Sequence, residues 1–157
     1  MTSQVECPSR VDVNTRSNAH DQLFTTRSQQ KRWKLPSFLL ANLRSLTNKL
    51  DDFETVVRLN NSDVVCITET WMSSDVPSES VSMNGFNLFR KDRNRQGGGV
   101  ACYVRCNMPC TVLTDFDETG LESLWLMLRP ARMPHWLTHV VVGIIYHPPD
   151  ANQITVE

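Results

Sequence analysis

The sequence predicts a mixed α/β sandwich whose layers stop after the first half. Three observations carry this. A strand, an amphipathic helix and a second strand follow one another between Ser37 and Thr68, the pattern of a parallel βαβ unit with a right-handed crossover. Five short strand patterns then crowd the stretch from Phe86 to Tyr146, too close together for helices between them, so hairpins or meanders join them. No second helical pattern follows Leu59 to cover the other sheet face, and only residues 150–157 come after Pro149.

The elements follow in order. SFLLANL (Ser37–Leu43) reads as a strand running into a loop. Leu46, Leu50, Phe53 and Val57 recur at helical spacing. Thr47 or Asn48 can cap that helix, Asp51 and Asp52 suit its positive end, and Asn60-Asn61 can supply a left-handed stop. Val64–Thr68 is an unalternating apolar run, as in a strand covered on both faces. Ser73–Met83 is too polar to do much covering. The later strands are Phe86–Arg90, Val100–Arg105, Cys110–Thr114, Ser123–Leu128 and Val140–Tyr146, parted by Gly- and Pro-bearing turns.

Composition narrows the class. The chain has 157 residues, 40% apolar and 21% charged, which suits one globular domain over residues 35–157. Residues 1–34 are polar and aperiodic and read as a flexible leader. A net charge of -1 excludes a global basic field, though not a local basic groove. No apolar run is long enough to span a bilayer, so no membrane partner is expected. The N-terminus lacks the apolar centre of a secretory signal, so the expected compartment is intracellular and reducing, and nuclear if the chain acts on DNA. The five cysteines, an odd number, then read as free thiols.

Glu69 stands where Val64–Thr68 ends. A carboxylate at the C-terminal end of a buried parallel strand lies where open α/β sheets bind ligands, and hard cations take oxygen donors. The plainer alternative is a strand-end Glu facing water. Asn42 ends the first strand, so it converges with Glu69 if the two strands are parallel neighbours, or else it is a turn residue. Tyr146 ends the last strand beside two prolines and is either held toward a site or structural.

RKDRNRQGGGVACYV has no Lys-Ser/Thr and no following helix, so it is not a phosphate loop. It reads as a hairpin tip with glycines at positive φ and solvated charges. Lys91, Arg93 and Arg95 on it could still contact a nucleic-acid backbone. DFDETG (Asp115–Gly120) imitates a phosphatase nucleophile motif and half an EF-hand. The EF-hand fails because Leu126 holds the twelfth position, and a polar loop is the better reading. Cys102, Cys106 and Cys110, and the pair His135 and His139, lack the spacing of metal sites.

Five segments appear in a fixed order: FLLANLRSLTNKLDDFETVV, DVVCITETWMSSDVP, NGFNLFRKDRNRQGGGVACYV, ESLWLMLRP and VVVGIIYHPP. From about Leu39 to Pro149 they closely resemble the N-terminal half of the endonuclease domain of LINE-type (non-LTR) retrotransposons. That domain belongs to the endonuclease/exonuclease/phosphatase superfamily, with AP endonucleases and DNase I. The resemblance implies a partial, DNase-I-like four-layer α/β sandwich and Mg²⁺-dependent nicking of DNA. It also implies that Glu69 is the metal ligand, that Asn42 orders the metal-phosphate site, that Tyr146 contacts the scissile phosphate, and that Trp71 packs beneath the following loop.

The implied partners are DNA and the rest of a retrotransposon polyprotein, including reverse transcriptase. The family's later Gly-Asp-Phe-Asn and Ser-Asp-His motifs do not occur in the sequence, and His147 stands where relatives carry Arg. The expectation is therefore a fragment inactive by itself, with Mg²⁺ affinity weak or absent. The alternative is a non-enzymatic nucleic-acid-binding or interaction remnant.

Overall fold

A computed structural model describes residues 34–93, 97–116 and 121–147. The expected leader lies outside these residues, apart from Lys34. Strand β1 (Phe38–Asn42), helix α1 (Leu50–Leu59) and strand β2 (Val64–Thr68) form the βαβ unit. β1 and β2 pair in parallel, with Asn42 opposite Thr68 at their C-terminal ends. Strands β3 (Phe86–Lys91) and β4 (Val100–Arg105) complete a four-stranded mixed sheet of order β1-β2-β4-β3. Strands β5 (Cys110–Val112), β6 (Glu122–Leu128) and β7 (Val140–Tyr146) form a second, antiparallel sheet.

Two apolar layers hold these parts together. Alternate residues of β2 and β4 face opposite ways. Val65, Ile67, Ala101 and Tyr103 pack under α1 against Phe53 and Val57. Val64, Cys66, Val100, Cys102 and Val104 meet Leu124, Leu126, Leu128 and Ile144 of the second sheet. Both faces being covered explains why β2 and β4 read as continuous apolar runs.

The helix departs from expectation at its start. Lys49, not Thr47 or Asn48, is the N-cap, and it makes no side-chain cap bond. Arg44 and Ser45 take positive φ, so the chain is still turning through 46–49. The Lys49 ammonium instead satisfies loop carbonyls, those of Leu43 and Arg44. The expected stop holds: Asn61 is left-handed at φ 47°.

The segment 73–83 covers more than its polarity predicts. Through a 3-10 turn at Ser78–Val81 it buries Val81 and Met83, next to Met72, in the α1-side core. The Tyr103 hydroxyl donates to the Val81 carbonyl. A short aperiodic stretch can turn its few apolar residues inward while Ser78, Glu79 and Ser80 face water.

Candidate active site

The site begins with strand register. Because β1 and β2 run parallel, both deliver their C-terminal residues to one edge. Asn42 Nδ2 donates to Glu69 Oε1 at 2.9 Å. β7 brings Tyr146 from the second sheet, and its hydroxyl donates to the same oxygen at 3.1 Å. Arg44, in the loop after β1, places Nε 3.6 Å from Glu69 Oε2; the Glu69 side chain is only 14% exposed and that of Arg44 76%. Asn42, Glu69 and Tyr146, each singled out in the sequence, thus come together in space.

The backbone under Glu69 is unusual. Glu69 and Trp71 have φ of 55° and 52°, a conformation that costs a non-glycine residue about 1–3 kcal/mol and persists only where the surroundings fix it. Four hydrogen bonds fix it here. Ser45 and Leu46 amides donate to the Glu69 and Thr70 carbonyls at 3.0 and 2.9 Å. The Thr70 and Trp71 amides donate to the Gly99 and Gly98 carbonyls at 3.2 and 3.0 Å. The glycines allow this approach: a Cβ on Gly99 would lie 2.5 Å from Thr70 Oγ1.

The electrostatics favour an ionised acid. The Asn42 bond, followed by the Tyr146 bond and the Arg44 charge, holds the Glu69 carboxyl below its ordinary value against the opposing effect of burial. The Tyr146 phenol is pushed up, first by burial and then by its bond to Glu69 and that residue's charge. A lone ionised carboxylate beside an amide suits a hard cation. Mg²⁺ needs only one or two protein carboxylates and fills its other positions with water and phosphate. Among the described residues no three His, Cys, Asp or Glu side chains cluster to hold a metal, so the fit rests on Glu69. An open groove of about 680 Å³ leads away from the site between β1 and β7, lined by Leu40, Asn42, Cys66, Thr68, Ile144 and Tyr146 among others.

Other expectations need correction. Trp71 is half-exposed, and its indole lies beside Gly97 of the β3–β4 turn and helps hold the Glu69 carboxyl down. The β3–β4 stretch is the expected hairpin, with Gly97, Gly98 and Gly99 at positive φ. Its charges are not simply solvated: Arg90 pairs with Asp92 at 2.7 Å, and Arg93 with Glu122 at 2.9 Å. Lys91 ends β3, and Arg95 lies outside the described residues. Asp115 sits in an exposed turn, and residues 117–120 of its motif lie outside the description.

Sequence reasoning missed Arg44 and Glu122. Arg44 follows Asn42 by two positions, in a loop of the kind that lines strand-end sites. Glu122 is in phase with Leu124, Leu126 and Leu128, so strand alternation alone places it inward.

Two facing sheets with a polar cluster at the C-terminal ends of a parallel pair define a mixed α/β protein whose candidate site lies at the edge where such sheets bind ligands. The chain belongs to the Endonuclease/Exonuclease/phosphatase family, whose model matches residues 24–155. Among solved structures it is similar to an AP endonuclease from Leishmania major, with a TM-score of 0.53 and 14% identity. That likeness covers 69% of this chain and 39% of the other, so the chain spans about two fifths of that protein's length. No curated protein sequence matches it.

Proposed function

We propose that the chain carries the Glu69 portion of a Mg²⁺-dependent DNA endonuclease of retrotransposon type, acting on a phosphodiester. The observation that supports this best is the meeting of Asn42 and Tyr146 on one Glu69 oxygen, in a member of this family. Glu69 would hold the cation, and Asn42 keeps the carboxylate ionised and oriented. A bound Mg²⁺ would polarise the phosphate and offset its charge. Tyr146, poised as a hydrogen-bond donor, would turn its hydrogen bond to a phosphate oxygen, and the exposed Arg44 would meet the same anion.

Asn42, Arg44, Trp71 and Tyr146, the groups that act on Glu69 among the described residues, include no general base. Efficient hydrolysis then calls for an acid/base group beyond them, in keeping with a role as one part of a larger protein that also carries reverse transcriptase. By itself the chain is expected to be inactive or nearly so. Non-enzymatic nucleic-acid binding through Lys91, Arg93 and Arg95 is less well supported, because Glu122 already offsets the Arg93 charge.

Nicking of supercoiled plasmid, followed with Mg²⁺ or with chelator, tests the reading, alongside calorimetric Mg²⁺ binding. Weak Mg²⁺ binding that disappears in Glu69→Gln supports it, with nicking either faint or absent. Mg²⁺ binding unchanged in Glu69→Gln, or measurable nicking that this variant leaves unchanged, would refute it.

A further inference from the structure

We infer that Glu122 is a positioning residue for this site, fastening the β3–β4 turn to β6 and so holding Tyr146 on Glu69. Its two carboxylate oxygens have separate tasks. Oε2 accepts the Gly99 amide at 2.7 Å, and Oε1 pairs with Arg93 Nη1 at 2.9 Å. Both partners belong to the first sheet's β3–β4 connection, whereas Glu122 begins β6 of the second sheet. The carboxylate therefore bridges the two sheets at their site end.

Two of the supports of Glu69 pass through this bridge. Gly98 and Gly99 accept the Trp71 and Thr70 amides and fix the strained turn on which Glu69 sits. Glu122 also stands directly opposite Tyr146 in the β6–β7 ladder, so it fixes the strand that carries the phenol. Space is tight enough to make the fastening specific: a Cβ on Gly98 would lie 2.5 Å from Glu122 Oε2 and 2.7 Å from Arg93 Cδ. Paired charges with side chains 27% and 19% exposed hold a geometry better than a fully solvated pair does.

The functional meaning of this bridge rests on the nuclease proposal, but its test reads a side-chain contact and not cleavage. The sequence has two tyrosines, Tyr103 and Tyr146. Protein labelled with carbon-13 at the tyrosine ζ position therefore gives two resonances, assigned with Tyr146→Phe. The buried Tyr103 serves as the control for an intact core. In Glu122→Ala the Tyr146 resonance should move to its position in Glu69→Ala, with Tyr103 unmoved. A Tyr146 resonance that stays put in a folded Glu122→Ala protein would overturn the inference. Should both resonances collapse, Arg93→Ala and Glu122→Gln, which each remove one leg of the bridge, decide the matter: a partial Tyr146 shift upholds it and no shift overturns it.

Discussion

Tyr146, at the end of one sheet's β7, and Glu69, just past the other sheet's β2, stand 77 positions apart, yet the phenol donates to the carboxylate at 3.1 Å. The same oxygen takes the Asn42 amide from the neighbouring parallel strand. A single acceptor atom thus records the register of β1 on β2 and the placement of one sheet over the other. Asn42 makes the larger contribution to keeping Glu69 ionised, and Tyr146 a smaller one. Asn42→Ala should therefore raise the Glu69 pKa more than Tyr146→Phe does. Titration of the Glu69 carboxyl carbon by NMR checks the order. If nicking is measurable in a longer protein containing this segment, Tyr146→Phe should lower turnover by about 10²-fold or more, as loss of a donor to developing charge does.

Acid should loosen the far end of the β1–β2 pair. Asp63 Oδ2 accepts the Ser37 amide at 2.9 Å and the Ser37 hydroxyl at 3.0 Å, and Oδ1 lies 3.5 Å from Arg105 Nε. Burial raises the Asp63 carboxyl, but the two Ser37 bonds and the charges of Lys34 and Arg105 outweigh it and hold the pKa below 3.8. A group whose folded pKa is depressed gives stability that is present above its unfolded value and is lost as pH falls through the folded one. Stability should thus drop as pH descends below 3.8. Asp63→Asn should remove about 1–2 kcal/mol at neutral pH and flatten that acid limb. Urea unfolding across pH measures both.

The parts of the fold written in local periodicity were legible in the sequence, and those that depend on contact between distant segments were not. Leu50, Phe53 and Val57 announced α1, whereas Leu46 of the same pattern lies in the turn before it, and the continuous run at Val64 announced a strand covered on both faces. The division of later strands between two sheets was not visible. β4 and β6 are both apolar, and only packing assigns them to different layers. At the site, strand ends disclosed Asn42, Glu69 and Tyr146. The Arg93–Glu122 pair escaped notice because Arg93 lies in a turn of the first sheet and Glu122 on a strand of the second, and a run of charges before three glycines looks like any solvated turn.

Two glycines with nearly equal φ should respond differently to the same substitution. Gly85 (φ 86°) has nothing within 4 Å of an added Cβ, whereas at Gly99 (φ 81°) that atom meets Thr70 Oγ1 at 2.5 Å. Gly85→Ala should cost only the backbone penalty, about 1 kcal/mol. Gly99→Ala adds a clash with a fully buried side chain and should cost about 2 kcal/mol more. Thr70→Ala removes the obstructing hydroxyl, which has no hydrogen-bond partner. The double variant Thr70→Ala/Gly99→Ala should therefore be more stable than additivity predicts, by about 1 kcal/mol or more. Strictly additive denaturation energies would contradict this account of the glycine run.

The sheet edges beside the groove make the last prediction. Leu40 on β1 is 73% exposed and Ile145 on β7 50%, and Phe38 and Val141 are also open. Among the described residues β1 and β7 are the edge strands of their respective sheets, so unpaired strand edges accompany this apolar surface there. Such a combination promotes association and binds hydrophobic dyes. The chain should therefore show dye fluorescence and concentration-dependent association under native conditions. Leu40→Lys together with Ile145→Lys should reduce both. Because each side chain is already open to water, the pair should shift unfolding free energy by no more than about 0.5 kcal/mol per site. Dye binding and sedimentation unchanged by the two lysines would place the association elsewhere on the surface. A large loss of stability would show instead that these side chains are packed more tightly than their exposure implies.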